Sequence, residues 1–367
     1  MKTIKSQLKT DLSTYPYEKL GNLQDDLLFV DIETTGLNSS RDSVYMIGCA
    51  YCLKNSFYSI QWIAEADSDE EQVIYSFFNF AKKYRKLIHF NGNRFDIPFL
   101  QDRISILGLP YDMRSFEGLD LYKRLRPYKS FLKLSSMKQS ALEEFLGIDR
   151  GDDLSGGELI SVYKEYTQTH DSALEEELLH HNYHDLRGMV CIVPLLSVPD
   201  MFNEKIRVIK AGKNPYTDSQ GVKKSEVIME LSLPSPLPVQ ISYGFSDCYF
   251  TGEGTRGKLR VAIYEGEAKF FYPNYKEYYY IPDEDIAVHK SVATYVDSSR
   301  RESAKASNCY TRKAGIFLPM FSPIFAPEYK LSYADKTGYV ELDDAFKRDP
   351  KKFTRYAEHL LQTLVTA

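Results

Sequence analysis

Asp31-Ile32-Glu33 ends the apolar run Leu27-Leu28-Phe29-Val30, so a segment with the look of a buried strand finishes on two carboxylates one residue apart. Residues i and i+2 of a strand point to the same face, so Asp31 and Glu33 project together while Ile32 packs behind. Two such carboxylates repel unless protons or a cation compensate. Their oxygens suit a hard divalent ion, Mg²⁺ or Mn²⁺. Taken alone, the pair fits a strand end reaching solvent at least as well. Two further carboxylates change the weighing. Asp96 closes Asn91-Gly92-Asn93-Arg94-Phe95-Asp96, and Asp185 closes His180-His181-Asn182-Tyr183-His184-Asp185.

The elements that would position these groups follow from periodicity. "LLFVDIE", "VYMIGCAYCL" and "SFYSIQWIA" read as three consecutive strands, and the uninterrupted "LLFV" suits a strand buried on both faces. "DSDEEQVIYSFFNFAKKY" reads as a helix, with an acidic start and apolar residues at 73, 74, 77, 78 and 81. "KLIHFNG" is a strand, and "FDIPFLQDRISILG" a helix that stops at Gly108. Another helix lies within 125–148. A long one begins near 171, where Ser172 and Glu175 have capping-box spacing. The fold class is α/β, a mixed sheet flanked by helices.

The three motifs "DIETTG", "NGNRFD" and "HHNYHD" resemble, in order, those of the DEDD superfamily of 3′–5′ exonucleases, which have the ribonuclease H-like fold. The likeness is to the YprB-type bacterial branch and covers residues 25–195. It implies that Asp31, Glu33, Asp96 and Asp185 are catalytic and hold two divalent cations, Mg²⁺ or Mn²⁺. It also implies that the attacking water needs a base. The superfamily divides between a Tyr four residues, and a His five residues, before the last Asp. Here His181 lies four before Asp185 and His180 five before it. On a helix, i and i+4 share a face while i and i+5 diverge by about 140°. That favours His181, with His180 the alternative; His184 reads as structural. The resemblance gives Thr34 a hydrogen bond to the terminal nucleotide. Asn91 and Phe95 flank the second motif, Phe95 either stacking a base or packing in the core. Asp120 reads as structural, and Lys129, Lys133 and Lys138 as either a backbone path or a solvated helix face.

Composition bounds the rest. The formal net charge is −5. Residues 1–195 carry 22 Lys+Arg against 29 Asp+Glu, and 196–367 carry 24 against 22. Neither half has the basic balance of a tight nonspecific nucleic-acid binder, so a polyanion must be held by metal ions or local patches. No apolar run approaches a membrane span and no secretory segment opens the chain, so no membrane partner is expected. Five cysteines at irregular spacing fit a reducing cytoplasm, and Cys49 and Cys52 read as strand residues.

The domains expected are an N-terminal extension over 1–24, a ribonuclease H-like domain over 25–205, and a C-terminal β-rich α+β domain of no recognised family over 206–367. In the last, 210–222 has linker composition, 283–296 reads as a helix, 300–315 as a basic loop and 350–364 as a helix. Its aromatic run "FFYPNYKEYYYIP" fits core packing or a stacking platform. The activity expected is metal-dependent 3′–5′ hydrolysis of single-stranded nucleic acid. The alternatives are an endonuclease of the same fold and a nucleic-acid-binding module without turnover. Nothing in the sequence separates DNA from RNA or names a protein partner.

Overall fold

The computed structural model describes residues 1–10, 15–151 and 156–366. The chain divides into two units, Met1–Asn203 with Ser235–Val239, and Glu204–Pro234 with Gln240–Ala367. In the first unit the strands are β1 (Lys2–Gln7), β2 (Leu27–Thr34), β3 (Val44–Leu53), β4 (Ser56–Ile63), β5 (Lys86–His89) and β6 (Glu117–Asp120). They form one sheet in the order β1-β4-β3-β2-β5-β6. β2 pairs antiparallel with β3 and parallel with β5, which pairs parallel with β6. This is a ribonuclease H-like mixed sheet flanked by helices.

The helices are α1 (Glu70–Ala81), α2 (Asp96–Ile106), α3 (Leu121–Leu125), α4 (Gln139–Phe145), α5 (Gly156–Thr169), α6 (Ser172–Ile192) and α7 (Ser197–Asn203). β2 sends Leu28, Val30 and Ile32 into one core with Val73, Phe77 and Phe99 of α1 and α2. It sends Leu27 and Phe29 into another with Leu186, Met189 and Val190 of α6. Both faces are therefore buried, which is why the run is unbroken by polar residues.

Three local readings change. Residues 2–7, set apart in the sequence within an N-terminal extension, form an edge strand from Lys2↔Ile63 to Gln7↔Tyr58. An edge strand that is half exposed needs few apolar residues, so its pattern is weak. The N-cap of α6 is Asp171, whose Oδ1 accepts from the Ala173 N–H at 2.8 Å, and not Ser172. Glu175 leaves the cap and accepts from Lys2 Nζ at 2.5 Å. α5 carries no motif and adds to the expected elements.

The second unit is β-rich. β7 (Arg207–Thr217), β8 (Lys223–Phe245) and β9 (Cys248–Ala262) form one three-stranded sheet. β10 (Tyr264–Phe271) joins β14 (Tyr310–Met320) and β15 (Gly338–Glu341) in a second. β11 (Tyr278–Ile281), β12 (Ile286–His289) and β13 (Glu302–Ser303) form a third. Helices α8 (Asp344–Lys347) and α9 (Pro350–Thr366) close the chain, α9 where the sequence places a helix.

Residues 210–217 are strand and not linker, pairing antiparallel through Thr217↔Lys223. The expected helix over 283–296 is absent. Asp285 takes a left-handed φ of +48° and turns the chain, so that β12 pairs antiparallel with β11. Arg312 and Lys313 lie on β14, not in a loop. No helix among the described residues is long and apolar enough to cross a membrane.

Candidate active site

Three elements supply the carboxylates. Asp31 and Glu33 continue the Leu27–Phe29 face of β2, the face that α6 covers. Asp96 is the first residue of α2, and Asp185 lies midway along α6. Asp31, Gly48 and Gln61 are aligned across β2, β3 and β4 by strand register. Asn182 crosses that row fully buried. Its Nδ2 donates to Asp31 Oδ2 at 2.8 Å, and its Oδ1 accepts from Gln61 Nε2 at 3.0 Å. Gln61 also donates to the Leu179 carbonyl at 2.9 Å. A Cβ on residue 48 would lie 1.9 Å from Asn182 Oδ1, so this approach requires glycine.

His181, one position earlier on α6, faces the acids. Its Nε2 is 3.2 Å from Asp185 Oδ2 and 4.0 Å from Glu33 Oε1. Glu33, His181 and Asp185 each offer a ligating atom within 4.8 Å of the others. Asp185 Oδ1 accepts a hydrogen bond from Arg150, whose Nη1 is 3.8 Å from Glu143 Oε1. Gln139 Nε2 donates both to Glu143 Oε1, at 2.8 Å, and to the Asp185 carbonyl, at 2.9 Å.

The electrostatics divide the four acids. Burial, with the charges of Asp185, Glu33 and Asp96, raises Asp31 well above the usual carboxylate range, and Asn182 opposes this. Burial pushes Glu33 up to about 8 despite His181. Burial pushes Asp96 up to about 7. Asp185 goes the other way. Burial raises it, but hydrogen bonds and charge from His181 and Arg150 outweigh that and hold it below its ordinary value.

This imbalance leaves the cluster short of positive charge. Four acids share one cluster, compensated among the described residues by His181, Arg150, the Asn182 amide and backbone N–H groups at Asp96. Three of the acids therefore hold protons more tightly than usual. Added positive charge would reverse those shifts, and the donors are hard oxygens plus one imidazole. The residues fit divalent cations.

The other expected positions are dispersed. His180 is exposed and meets His184, Nε2 to Nε2 at 3.0 Å, away from the cluster. Thr34 follows the acids, but its hydroxyl donates to the Gly36 carbonyl at 2.7 Å. Asn91 takes a left-handed φ of +62°, and its N–H donates to Asp120 Oδ1 at 3.0 Å. Phe95 packs on Phe99, ring centres 5.3 Å apart, beside the core. Asp120 is buried and caps α3 by accepting from the Lys123 N–H. Lys129, Lys133 and Lys138 are exposed. Cys49 and Cys52 are buried on β3. In the second unit Phe270 packs against a small core of Ala268, Phe317 and Tyr329. Tyr279 is covered by Arg301, 4.7 Å from its ring centre.

Gln61, Gly48, Arg150 and Glu143 have no place in the sequence reading, and Asn182 figures there only by its spacing. A glycine inside an apolar strand signals close approach, and Gly48 is such a glycine. No comparable local signal marks Arg150 or Glu143.

A family model described as RNase_H superfamily matches residues 28–197. No curated protein matches. Among solved structures, the chain is similar to the family B DNA polymerase from the hyperthermophilic archaeon Pyrobaculum calidifontis. Identity is 19%, the TM-score 0.39, and coverage 48% of this chain and 25% of that one. It is also similar to E. coli exonuclease I in complex with a dT13 oligonucleotide, at 12% identity and a TM-score of 0.32, covering 57% and 55%. The chain thus spans a quarter of the polymerase and about half of exonuclease I.

Proposed function

We propose that this chain is a metal-dependent nuclease of the DEDD type that hydrolyses single-stranded nucleic acid from the 3′ end. The observation that carries the reading is that Asp31, Glu33, Asp96 and Asp185, from three segments, lie close enough to act on one another by charge, with His181 against Glu33 and Asp185. The four carboxylates would hold two Mg²⁺ or Mn²⁺ ions. When bound, such ions supply Lewis acidity and neutralise charge on the phosphodiester.

The chain's own residues do the rest. Asn182 fixes the rotamer of Asp31 by donating to Oδ2, and Gln61 fixes Asn182 in turn. His181 presents Nε2 to the cluster, where it takes the proton of an attacking water as general base. Asp185 Oδ2, 3.2 Å from that nitrogen, accepts from it once it carries the proton and so steadies the imidazolium formed. His180, turned to solvent, is not part of this arrangement.

The test uses oligonucleotides labelled separately at each end, with Mn²⁺ and with EDTA. The expected result is stepwise release of mononucleotides from the 3′ end, lost in EDTA and in Asp31→Ala. Internal fragments would replace this reading with an endonuclease, and binding without any cleavage would leave a non-catalytic module. Undiminished activity of Asp31→Ala would overturn the assignment of the site.

A further inference from the structure

Beside the carboxylates lies a second feature that the hydrolytic reading does not use. A cavity of about 520 Å³ opens between the β5–α2 loop and α3, lined by Asn91, Arg94, Asp120, Tyr122, Lys123 and Arg126 among others. Arg94 precedes Asp96 by two residues, so one rim of the cavity runs straight into the cluster. The floor is a built structure. Asp120 accepts from the backbone N–H groups of Asn91 (3.0 Å), Asn93 (3.3 Å) and Lys123 (3.2 Å). One buried carboxylate therefore pins the loop and α3 together, and those bonds absorb its charge.

The rims are cationic. Arg94, Lys123 and Arg126 are exposed, and none forms an ion pair among the described residues. The basic side chains nearer the core are committed, Arg103 to Glu70 and Arg150 to Asp185. Tyr122 is half-buried at the wall, set edge-on to Phe90 at 5.8 Å. The cavity's size falls in the range of sites for small ligands and single nucleotides. Three cations spread over two walls match successive phosphates better than one isolated anion. An acidic first half that handles a polyanion needs such a local patch.

We propose that this cavity binds the sugar-phosphate backbone of a nucleic-acid strand next to the nucleotide held at the carboxylates. Arg94, Lys123 and Arg126 each meet a phosphate, and Tyr122 offers a face for a base. The identity of the ligand rests on the nuclease reading above, but the measurement does not depend on turnover.

The experiment is fluorescence anisotropy of a labelled twelve-residue oligothymidylate with the full chain in EDTA, over a salt series. The triple variant Arg94→Ala/Lys123→Ala/Arg126→Ala should bind at least ~10-fold more weakly. Its log–log salt slope should fall by about 2, near 0.7 for each phosphate left without its cation. The charge-keeping Arg94→Lys/Arg126→Lys should stay near the wild type. Thermal unfolding checks that the exposed substitutions leave the fold intact, and each single variant serves if the triple does not. Wild-type affinity and slope in the triple variant would overturn the proposal. So would a wild-type protein that does not bind the oligomer, or one that binds an uncharged methylphosphonate strand as tightly. A wild-type protein that binds through these residues yet cleaves nothing in Mn²⁺ would sink the nuclease reading and leave the groove standing.

Discussion

Gly48→Ala tests whether the sheet row beneath α6 positions the site. The added Cβ would fall 1.9 Å from Asn182 Oδ1, 2.8 Å from its Cγ and 2.9 Å from Leu186 Cδ1. Forcing a methyl into a filled core costs about 1–3 kcal/mol. Pushing Asn182 aside also takes a partner from Asp31 Oδ2 and from Gln61 Nε2, each an interaction of about 1–3 kcal/mol when left unsatisfied. The two effects overlap, so we expect about 3 kcal/mol of destabilisation. Trp62, the chain's one tryptophan, is buried on β4 next to Gln61. Denaturant unfolding followed by its fluorescence therefore reports on this unit. Activity should fall about 10–100-fold, the cost of loosening a group that orients a metal ligand. Asn182→Ala alone should cost about 2 kcal/mol by removing the same two bonds. In the double variant the methyl enters the space Asn182 leaves, so the sum should overestimate the loss by about 2 kcal/mol. Additivity within about 0.5 kcal/mol would refute the steric coupling.

Other expected outcomes follow from the same geometry. His181→Ala should lower kcat by about 10²–10⁴, while His180→Ala should stay within about threefold of wild type, as steady-state kinetics on an oligonucleotide would show. Glu33 and Asp96 are raised in the folded protein, to about 8 and about 7. Acids so raised favour folding below their unfolded values near 4, and that contribution is lost as pH climbs through 7 to 8. The melting temperature in EDTA should therefore fall between pH 5 and 8, and added Mn²⁺ should raise it most at the alkaline end. Asp185, lowered, acts only in acid, where its contribution is lost as pH drops below its unfolded value near 4. Arg103→Ala should destabilise by about 3–5 kcal/mol in denaturant, because Glu70 would keep a buried charge without its cation.

The sequence made legible what local rules govern. β2 to β5, α1, α2 and α6 follow from periods of 2 and 3.6, and the acids stand at the ends or on the faces those periods assign. The preference for His181 over His180 needs only helix geometry, and the structure turns those two side chains apart as that geometry requires. What stays hidden depends on contacts between distant segments. β1 is recognisable only beside β4. The cap of α6 falls to Asp171 because Glu175 is drawn to Lys2 and to the Tyr166 hydroxyl, 3.1 Å away. Residues 210–217 and 283–296 mislead for one reason, that composition stands in for pairing. Glycine, proline and asparagine in an exposed strand resemble a linker, and a short hairpin around Asp285 resembles helix when only charge and apolar content are counted.

The unequal treatment of the four acids has a consequence for any cation that binds them. Asp185 alone is held below the ordinary carboxylate range, because His181 and Arg150 already supply its positive charge. Asp31, Glu33 and Asp96 are held above it by burial and mutual repulsion. In the two-cation reading, binding must therefore expel protons from the cluster and also draw Asp185 partly away from its basic partners. The first demand makes affinity rise with pH. The second makes Arg150 a competitor for the same carboxylate, with Glu143 3.8 Å from its Nη1 as a place to go. Arg150→Ala should tighten Mn²⁺ binding measured by calorimetry at pH 8, where proton competition is weakest, while raising Asp185 toward its ordinary value. Looser binding in that variant would mean that Arg150 holds Asp185 in a ligating pose, and that its ion pair serves the cation site instead of opposing it.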